Sequence, residues 1–215
     1  LIASNPEIIM LDEAFSALDS HLREQLQLDM INFFKECNIT ALIVSHDRDE
    51  IYKMTDKIVV VDDGVVCSSG TTKGIFKSTE NVATAMLTGC KNISRATKTG
   101  THEVYASDWD IKLTFPEQTE VPSNLTHVGI RAHEIRPVKF SDIDNNTSIK
   151  LNMVDCQLKR ISEAPFEMYL ILENKSGKST SPLWWKVTKK EWKEIGETVP
   201  ETVELPVEKV ILLQH

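Results

Sequence analysis

The sequence lacks several features that would each define a class of protein. None of its apolar runs approaches the roughly 20 residues that a helix needs to cross a bilayer. The N-terminus has no basic, apolar and small-residue order typical of a secretory signal. A formal net charge of -8 argues against a general affinity for nucleic acid or anionic lipid. Any association with a membrane is therefore expected to go through a protein partner.

Cysteine is scarce and dispersed, and the four residues form no C-x-x-C pair. A zinc site or redox motif is therefore unsupported, and a reduced cytoplasmic setting is expected. The chain also lacks the phosphate-binding pattern G-x-x-x-x-G-K-[ST]. The stretch from Gly70 to Ser78 is similar in composition, but its glycines and lysines do not have the required spacing. The 215 residues are 41% hydrophobic and 26% charged, which suits one large globular domain or two small ones.

Near the N-terminus, an apolar run ends directly in two acids. Ile8-Ile9-Met10-Leu11 shows no polar alternation, which is typical of a parallel strand buried on both faces. Asp12 and Glu13 then follow at the carboxyl end of the strand, where open α/β sheets bind their ligands. The pair alone is equally consistent with a metal or reaction site and with a strand that leaves the core through two acids.

The following segments alternate between helix and strand patterns. Ser20 is expected to cap a helix whose apolar stripe continues to Asn38. Thr40 to Val44 predicts a second buried strand, which ends in Ser45-His46-Asp47. A short helix over 49–54 and a hairpin at Asp62-Asp63-Gly64 are expected next. This order predicts an α/β architecture with a parallel core.

The residue pattern of the sequence changes near Gly89. Short β-prone runs alternate with Pro, Asn and Gly clusters, which predicts a small all-β barrel or sandwich with one helix near 189–195. The predicted domains are therefore 1–88 and 89–215. The predicted strands cover 103–105, 111–115, 128–131, 148–154, 157–161, 167–172, 183–187 and 207–213.

The motifs of the first half jointly resemble the ATP-binding cassette (ABC) ATPases. By that resemblance, Ile8 to Glu13 is the Walker B strand, Ser16-Ala17-Leu18-Asp19 the D-loop, and His46 the switch histidine. Leu1 to Pro6 resembles the end of the helix that follows the signature motif. Ala14 stands where the family usually has Pro, which should loosen the turn after the acids. The resemblance implies part of a P-loop NTPase fold with a RecA-like parallel sheet.

The same resemblance implies ATP and Mg²⁺ as cofactors. Asp12 would hold Mg²⁺ through a water, and Glu13 would act as general base on the attacking water. His46 would hydrogen-bond to the γ-phosphate, and Asp19 would reach across a dimer interface. The order Ser45-His46-Asp47 is not expected to form a triad, since consecutive side chains at a strand end project in different directions.

Three other motifs of the family do not occur in the sequence: the P-loop, the Gln-loop and the Leu-Ser-Gly-Gly signature. The chain is therefore expected to correspond to the C-terminal part of an ATPase. We expect that by itself it neither binds ATP tightly nor hydrolyses it.

The second half resembles the regulatory (TOBE) domain appended to importer ATPases, which implies a mostly-β, OB-like barrel. Gly129-Ile130-Arg131 carries this resemblance, and Thr88 to Asn92 resembles the junction in the molybdate, tungstate and sulfate branch. In parts of that branch the domain binds the transported oxyanion. Arg131, Lys159 and Arg160 are the candidate anion contacts, with plain surface solvation as the alternative. The tandem tryptophans Trp184 and Trp185 are expected to pack in a strand rather than bind a ligand.

These resemblances imply an ATP-hydrolysing importer subunit for an oxyanion such as molybdate or tungstate. Its partners would be a second ATPase subunit in a homodimer, integral-membrane permease subunits and, indirectly, a substrate-binding protein, with no nucleic acid. It would lie in the cytoplasm on the inner face of a prokaryotic cell membrane. The alternatives are an importer for sugar, polyamine or iron, an oxyanion-sensing or dimerisation module, and a cassette protein of DNA repair or translation. The appended β-rich domain argues against the last.

Overall fold

A computed structural model describes residues 6–138 and 152–214 and divides the chain into two compact units, Leu1–Ser78 and Thr79–His215. This division lies before the predicted boundary between residues 88 and 89. Helix α4 (Val82–Leu87) therefore belongs to the second unit by its contacts. Residues 1–5 of the helix end predicted at Leu1 to Pro6, and residues 148–151 of the strand predicted over 148–154, lie outside the described residues.

The first unit begins with a parallel strand pair. Strands β1 (Ile8–Asp12) and β2 (Thr40–Val44) run side by side, with Asp12 opposite Val44. Helix α1 (Ser20–Glu36) connects them, as the crossover between parallel strands requires. The predicted α/β arrangement with a parallel pair is therefore confirmed.

An antiparallel hairpin follows the short helix α2 (Arg48–Met54). Strands β3 (Lys57–Asp62) and β4 (Val65–Thr71) are joined by Asp63 and Gly64, both with positive φ, at 47° and 77°. Positive φ at both turn residues matches the right-handed strand twist, which is why Asp-Gly is favoured there. The predicted hairpin is confirmed, and helix α3 (Thr72–Lys77) follows it within the Gly70 to Ser78 stretch.

The expectation that β1 and β2 are buried on both faces is wrong. Ile9 is 3% exposed, but its neighbours Ile8 and Met10 are 63% and 70% exposed. In β2, Leu42 and Val44 are each 52% exposed. Successive side chains of a strand point to opposite faces, and in the described part of the chain one face of this strand pair is covered while the other is exposed.

The predicted start of α1 is off by one residue. Asp19, not Ser20, is the N-cap: its Oδ1 accepts a hydrogen bond from the backbone N–H of Leu22 at 3.0 Å. A carboxylate at this position also interacts favourably with the positive end of the helix dipole. The helix ends at Glu36, shortly before Asn38 with its left-handed φ of 53°.

The second unit is mostly β, as predicted. Its described strands are β5 (Asn92–Lys98), β6 (Glu103–Ala106), β7 (Ile111–Thr114), β8 (His127–Ile130), β9 (Arg136–Pro137), β10 (Met153–Glu163), β11 (Glu167–Asn174), β12 (Leu183–Thr188), β13 (Thr202–Glu204) and β14 (Ile211–Leu213). They form two five-stranded sheets with the orders β12-β11-β10-β13-β9 and β14-β8-β5-β6-β7. Besides α4, the described part of the unit contains helix α5 (Lys189–Glu194) and a 3₁₀ turn (Val207–Lys209).

Both sheets of the second unit contribute to one hydrophobic core. Val104 and Val128 come from one sheet and Leu170 and Val203 from the other, and all four are fully buried. Trp185 lies in the same core at 2% exposure, which confirms that it packs in a strand. Strands β5, β9 and β13 are absent from the predicted strands, because they lack a clear apolar alternation bounded by turn residues.

Candidate functional site

The two acids of the opening motif lie at the carboxyl end of β1. The backbone N–H of Glu13 donates to the carbonyl oxygen of Val44 at 2.9 Å, which continues the pairing with β2 past the end of the strand. Glu13 has a φ of 47°, a left-handed conformation that is uncommon for a residue with a side chain. The chain therefore turns sharply at Glu13, and strain of this kind is concentrated at functional sites.

His46 contacts Glu13 across 33 residues of sequence. Its Nδ1 lies 2.7 Å from Oε1 of Glu13, and its backbone N–H donates to the same oxygen at 3.0 Å. The His46 side chain is 80% exposed and that of Glu13 36%. The parallel register places the two strand ends at one edge, so two of the predicted site residues meet there.

A tight turn follows the acids. The backbone N–H and the hydroxyl of Ser16 both donate to the carbonyl oxygen of Glu13, at 3.2 and 2.8 Å. Phe15 is buried at 5% exposure, whereas Ala14 is exposed. The turn ends at Asp19, whose carboxylate caps α1. The predicted D-loop segment is therefore an ordered link between the site and α1.

Ser45, His46 and Asp47 form no triad, as expected. The hydroxyl of Ser45 accepts from the backbone N–H of Asp47 at 3.0 Å, and His46 contacts Glu13 instead of Asp47. Asp47 caps α2, where its Oδ1 accepts from the N–H groups of Asp49 and Glu50 at 2.9 and 3.2 Å. The three consecutive side chains therefore each form a hydrogen bond with a different partner.

Two charged residues near the site were not anticipated from the sequence. Glu50 is 5% exposed, and burial, followed by the nearby charge of Asp47, raises the pKa of its carboxyl above the ordinary value. Arg23 lies on α1 and donates to the backbone of the turn at residues 16 to 18. No local pattern marks either residue, since each occupies a place in a helix where charged residues are ordinary.

The residues present fit Mg²⁺ only as one part of a larger site. Among the described residues, no group of three or more His, Cys, Asp or Glu is placed to hold a metal ion. Mg²⁺ nevertheless keeps several waters and often takes only one or two protein carboxylates together with substrate phosphates. The exposed carboxylate of Asp12, beside Glu13, suits such a contact.

The candidate anion contacts are spread over the second unit. Arg131 follows β8, and its Nη1 donates to the carbonyl oxygen of Thr88 at 2.5 Å, at the end of α4. Lys159 and Arg160 lie on β10, in the other sheet, and Lys159 forms an ion pair with Glu173 at 2.5 Å. Two of the three cations therefore have structural partners, and an oxyanion site at these residues stays a prediction.

No family model matches this chain. It is 33% identical over 139 residues to the spermidine/putrescine import ATP-binding protein PotA of Nitratidesulfovibrio vulgaris, covering 63% of this chain and 38% of the relative. It is 39% identical over 88 residues to the Fe(3+) ions import ATP-binding protein FbpC of Haemophilus influenzae, covering 41% and 25%. These relatives are ATP-binding proteins of import systems. PotA of Aliivibrio fischeri is 28% identical over 67% of this chain and 40% of the relative.

The chain thus spans two fifths or less of the length of these relatives. Among solved structures, it is similar to the cytoplasmic molybdate-binding protein ModG with molybdate bound. That similarity has a TM-score of 0.42 at 16% identity and covers 59% of this chain and 97% of the other. Within the described ranges, no helix of the chain is long and apolar enough to cross a membrane.

Proposed function

We propose that this chain forms the C-terminal portion of the ATP-hydrolysing subunit of an ABC importer. The contact between Glu13 and His46 at the carboxyl end of a parallel strand pair is the observation that carries the proposal. The similarity to import ATP-binding proteins supports the same activity. The P-loop and signature motif would have to come from sequence outside these 215 residues.

Phosphoryl transfer needs a positioned water and stabilisation of charge on the transferred group. Mg²⁺, held by Asp12 through a water, would neutralise charge on the phosphates. Glu13 would serve as the general base for the attacking water. Both contacts from His46 use Oε1 of Glu13, so Oε2 is the oxygen that would accept the proton.

The contact with Glu13 also constrains the protonation of His46. An ionised carboxylate only accepts hydrogen bonds, so Nδ1 of His46 must carry the hydrogen. We propose that the other ring nitrogen, Nε2, is the one that contacts a γ-phosphate oxygen.

Asp19 is proposed to act at the interface of a homodimer. In the single chain, its Oδ1 caps α1 at the end of the turn that begins at Glu13. A partner that contacts Asp19 would therefore act on a segment hydrogen-bonded directly to the catalytic base. Such a dimer would dock on permease subunits at the inner face of the membrane and receive solute from a substrate-binding protein.

A chimera tests the proposed ATPase activity. The part of N. vulgaris PotA that precedes its matched region would be fused to this chain, and steady-state ATP hydrolysis would be measured. We expect turnover from the chimera and none from the 215 residues alone. Glu13→Gln in the chimera should lower kcat by about 10² to 10⁴-fold, the usual contribution of a general base, while ATP still binds.

Glu36→Gln is the matched control, because it removes the charge of an exposed glutamate at the end of α1. It should leave turnover unchanged. Hydrolysis by the 215 residues alone, or full activity in the Glu13→Gln chimera, would refute the proposed role.

For the second unit we propose recognition of a transported oxyanion such as molybdate. The resemblance of Thr88 to Asn92 to the molybdate, tungstate and sulfate branch supports this choice. PotA and FbpC are named for spermidine/putrescine and Fe(3+) import, which makes polyamine or iron the second candidate. The acidic chain, with a net charge of -8, is compatible with cationic cargo.

Thermal unfolding of the chain with molybdate, tungstate, sulfate, spermidine or ferric citrate distinguishes these candidates. A ligand at 100 times its Kd stabilises the folded state by about 2.7 kcal/mol. A rise in Tm with molybdate and tungstate, lost in Arg131→Gln, supports the oxyanion. A rise with spermidine or ferric citrate only, or with none of the five, would refute it.

A further inference from the structure

Arg23 connects the two segments that hold the candidate catalytic pair. Its Nη2 donates to the carbonyl oxygens of Leu18 and Ser16, at 2.9 and 3.4 Å. Its Nη1 lies 3.6 Å from Oδ2 of Asp47, and the side chain is only 31% exposed. One guanidinium therefore contacts both the turn after β1 and the start of α2.

Each anchored segment is tied directly to one member of the pair. Ser16 donates twice to the carbonyl oxygen of Glu13. Asp47 follows His46 in the chain and is fixed at the N-terminus of α2 by its own capping bonds. The contacts thus form a closed ring: Glu13 to Ser16, Ser16 to Arg23, Arg23 to Asp47, and His46 back to Glu13.

Arg23 also interacts electrostatically with the buried carboxylate of Glu50. Among the described residues, Oε1 of Glu50 is buried without a hydrogen-bond partner, and Asp47 lies near it. Burial and the charge of Asp47 raise the pKa of Glu50, whereas the positive charge of Arg23 lowers it by favouring the ionised carboxylate. Loss of Arg23 would remove a positive charge that offsets the effect of Asp47 on Glu50.

We propose that Arg23 is a positioning residue that sets the pairing of Glu13 with His46 by linking the 16–18 turn to the start of α2. A planar, forked guanidinium reaches backbone carbonyls on one side and a carboxylate on the other. The ammonium of a lysine cannot span both. The link itself does not depend on ATP chemistry, and only its catalytic meaning rests on the proposed function.

The pairing can be followed in the 215-residue chain by ¹⁵N NMR of the histidine ring nitrogens, with His46 assigned through His46→Gln. Glu13→Gln defines the ring signals of an unpaired His46. We expect Arg23→Met to move the His46 signals most of the way to that reference, and Arg23→Lys to move them only partly. Arg48→Met should leave them unchanged, because Arg48 pairs with Asp49 within the exposed first turn of α2.

Asp47→Asn tests the same link independently, in case Arg23→Met does not fold. Asparagine caps helices as well as aspartate does, so α2 is retained while the ion pair with Arg23 is lost. This variant should shift the His46 signals as Arg23→Met does. Native His46 signals in a folded Arg23→Met chain, or in Asp47→Asn, would overturn the proposal.

The chimera adds the catalytic readout. Arg23→Met should lower kcat about 10²-fold, as a misplaced catalytic group does, with KM for ATP unchanged. An unchanged kcat with shifted His46 signals would overturn the catalytic part. A chimera that is inactive even with Arg23 present would refute the proposed function, while the NMR result still decides whether Arg23 sets the pairing.

Discussion

Buried asparagine side chains replace missing backbone partners in the second unit. Asn92, at 1% exposure, donates from Nδ2 to the carbonyl oxygen of Trp184 at 2.8 Å and accepts from its N–H at 2.7 Å. Asn152 forms the same two bonds with the backbone of Thr114, at 3.2 and 2.7 Å. Both pairs join strands or strand ends of different sheets, so an amide side chain serves where no strand continues the ladder.

Replacing Asn92 should therefore be costly at the level of a single residue. Asn92→Ala leaves the N–H and the carbonyl of Trp184 buried without partners, at about 1 to 3 kcal/mol each. We expect a loss of about 2 to 6 kcal/mol in the free energy of unfolding, measured by urea denaturation. Asn124→Ala removes an exposed amide bonded to Gln214 and should change it by less than about 0.5 kcal/mol. Equal effects of the two variants would contradict this role.

At the scale of elements, strand β10 has an open edge. It pairs with β13 only over Met153 to Asp155. Along Gln157 to Glu163, β11 is its only partner among the described strands, so the other edge of this stretch is open. Leu158 and Ile161 are 39% and 41% exposed on this stretch. A β-bulge between Leu158 and Arg160 and the charges around it are devices that prevent edge strands from joining.

We therefore expect Lys159 and Arg160 to keep the chain monodisperse. The double variant Lys159→Val, Arg160→Val gives the edge high β-propensity and lower charge, which favours pairing between copies. Larger species should appear in light scattering after size-exclusion chromatography.

The control is Lys190→Val with Lys193→Val, which removes two charges from helix α5 instead of from an edge. It should remain as monodisperse as the unaltered chain. A monodisperse β10 variant would show that the bulge alone protects the edge.

At the scale of the whole second unit, Asp108 links the two sheets. Its carboxylate accepts from the backbone and guanidinium of Arg95 on β5, and from the hydroxyl of Thr180 before β12. The hydrogen bond from the Arg95 side chain is the largest of the contacts that hold the pKa of Asp108 below its ordinary value. The side chain of Asp108 is only 14% exposed, so this pairing is partly shielded from solvent.

The second unit should consequently lose stability in acid. Because folding lowers the pKa of Asp108, its contribution is fully present above the unfolded value of about 3.9 and is lost as the pH falls through the lower folded value. In urea unfolding at pH 7, Asp108→Asn should have a lower free energy of unfolding than the unaltered chain. This gap between the two free energies should narrow below about pH 4. Glu117→Gln, in an exposed loop, should show no such gap. A gap that does not change with pH would contradict the linkage.

Local sequence patterns determined most of the elements. Asp63-Gly64 predicts its hairpin because only certain residues accept two positive φ values in succession. The run from Ile8 to Asp12 and the strand before His46 are correctly predicted, because strand and helix periods are local properties. Parallel pairing then brings Glu13 and His46 to one edge, which is why sequence could indicate the candidate site at all.

Only the tertiary structure decided how these pieces are used. The exposed faces of β1 and β2, the link made by Arg23 and the amide bridge of Asn92 depend on contacts far apart in sequence, up to 92 residues for Asn92. No local period records such a contact, because an arginine on a helix or an asparagine at the start of a strand is ordinary until its partner is placed. The sequence thus named the acids and the histidine, and the fold determined what holds them together.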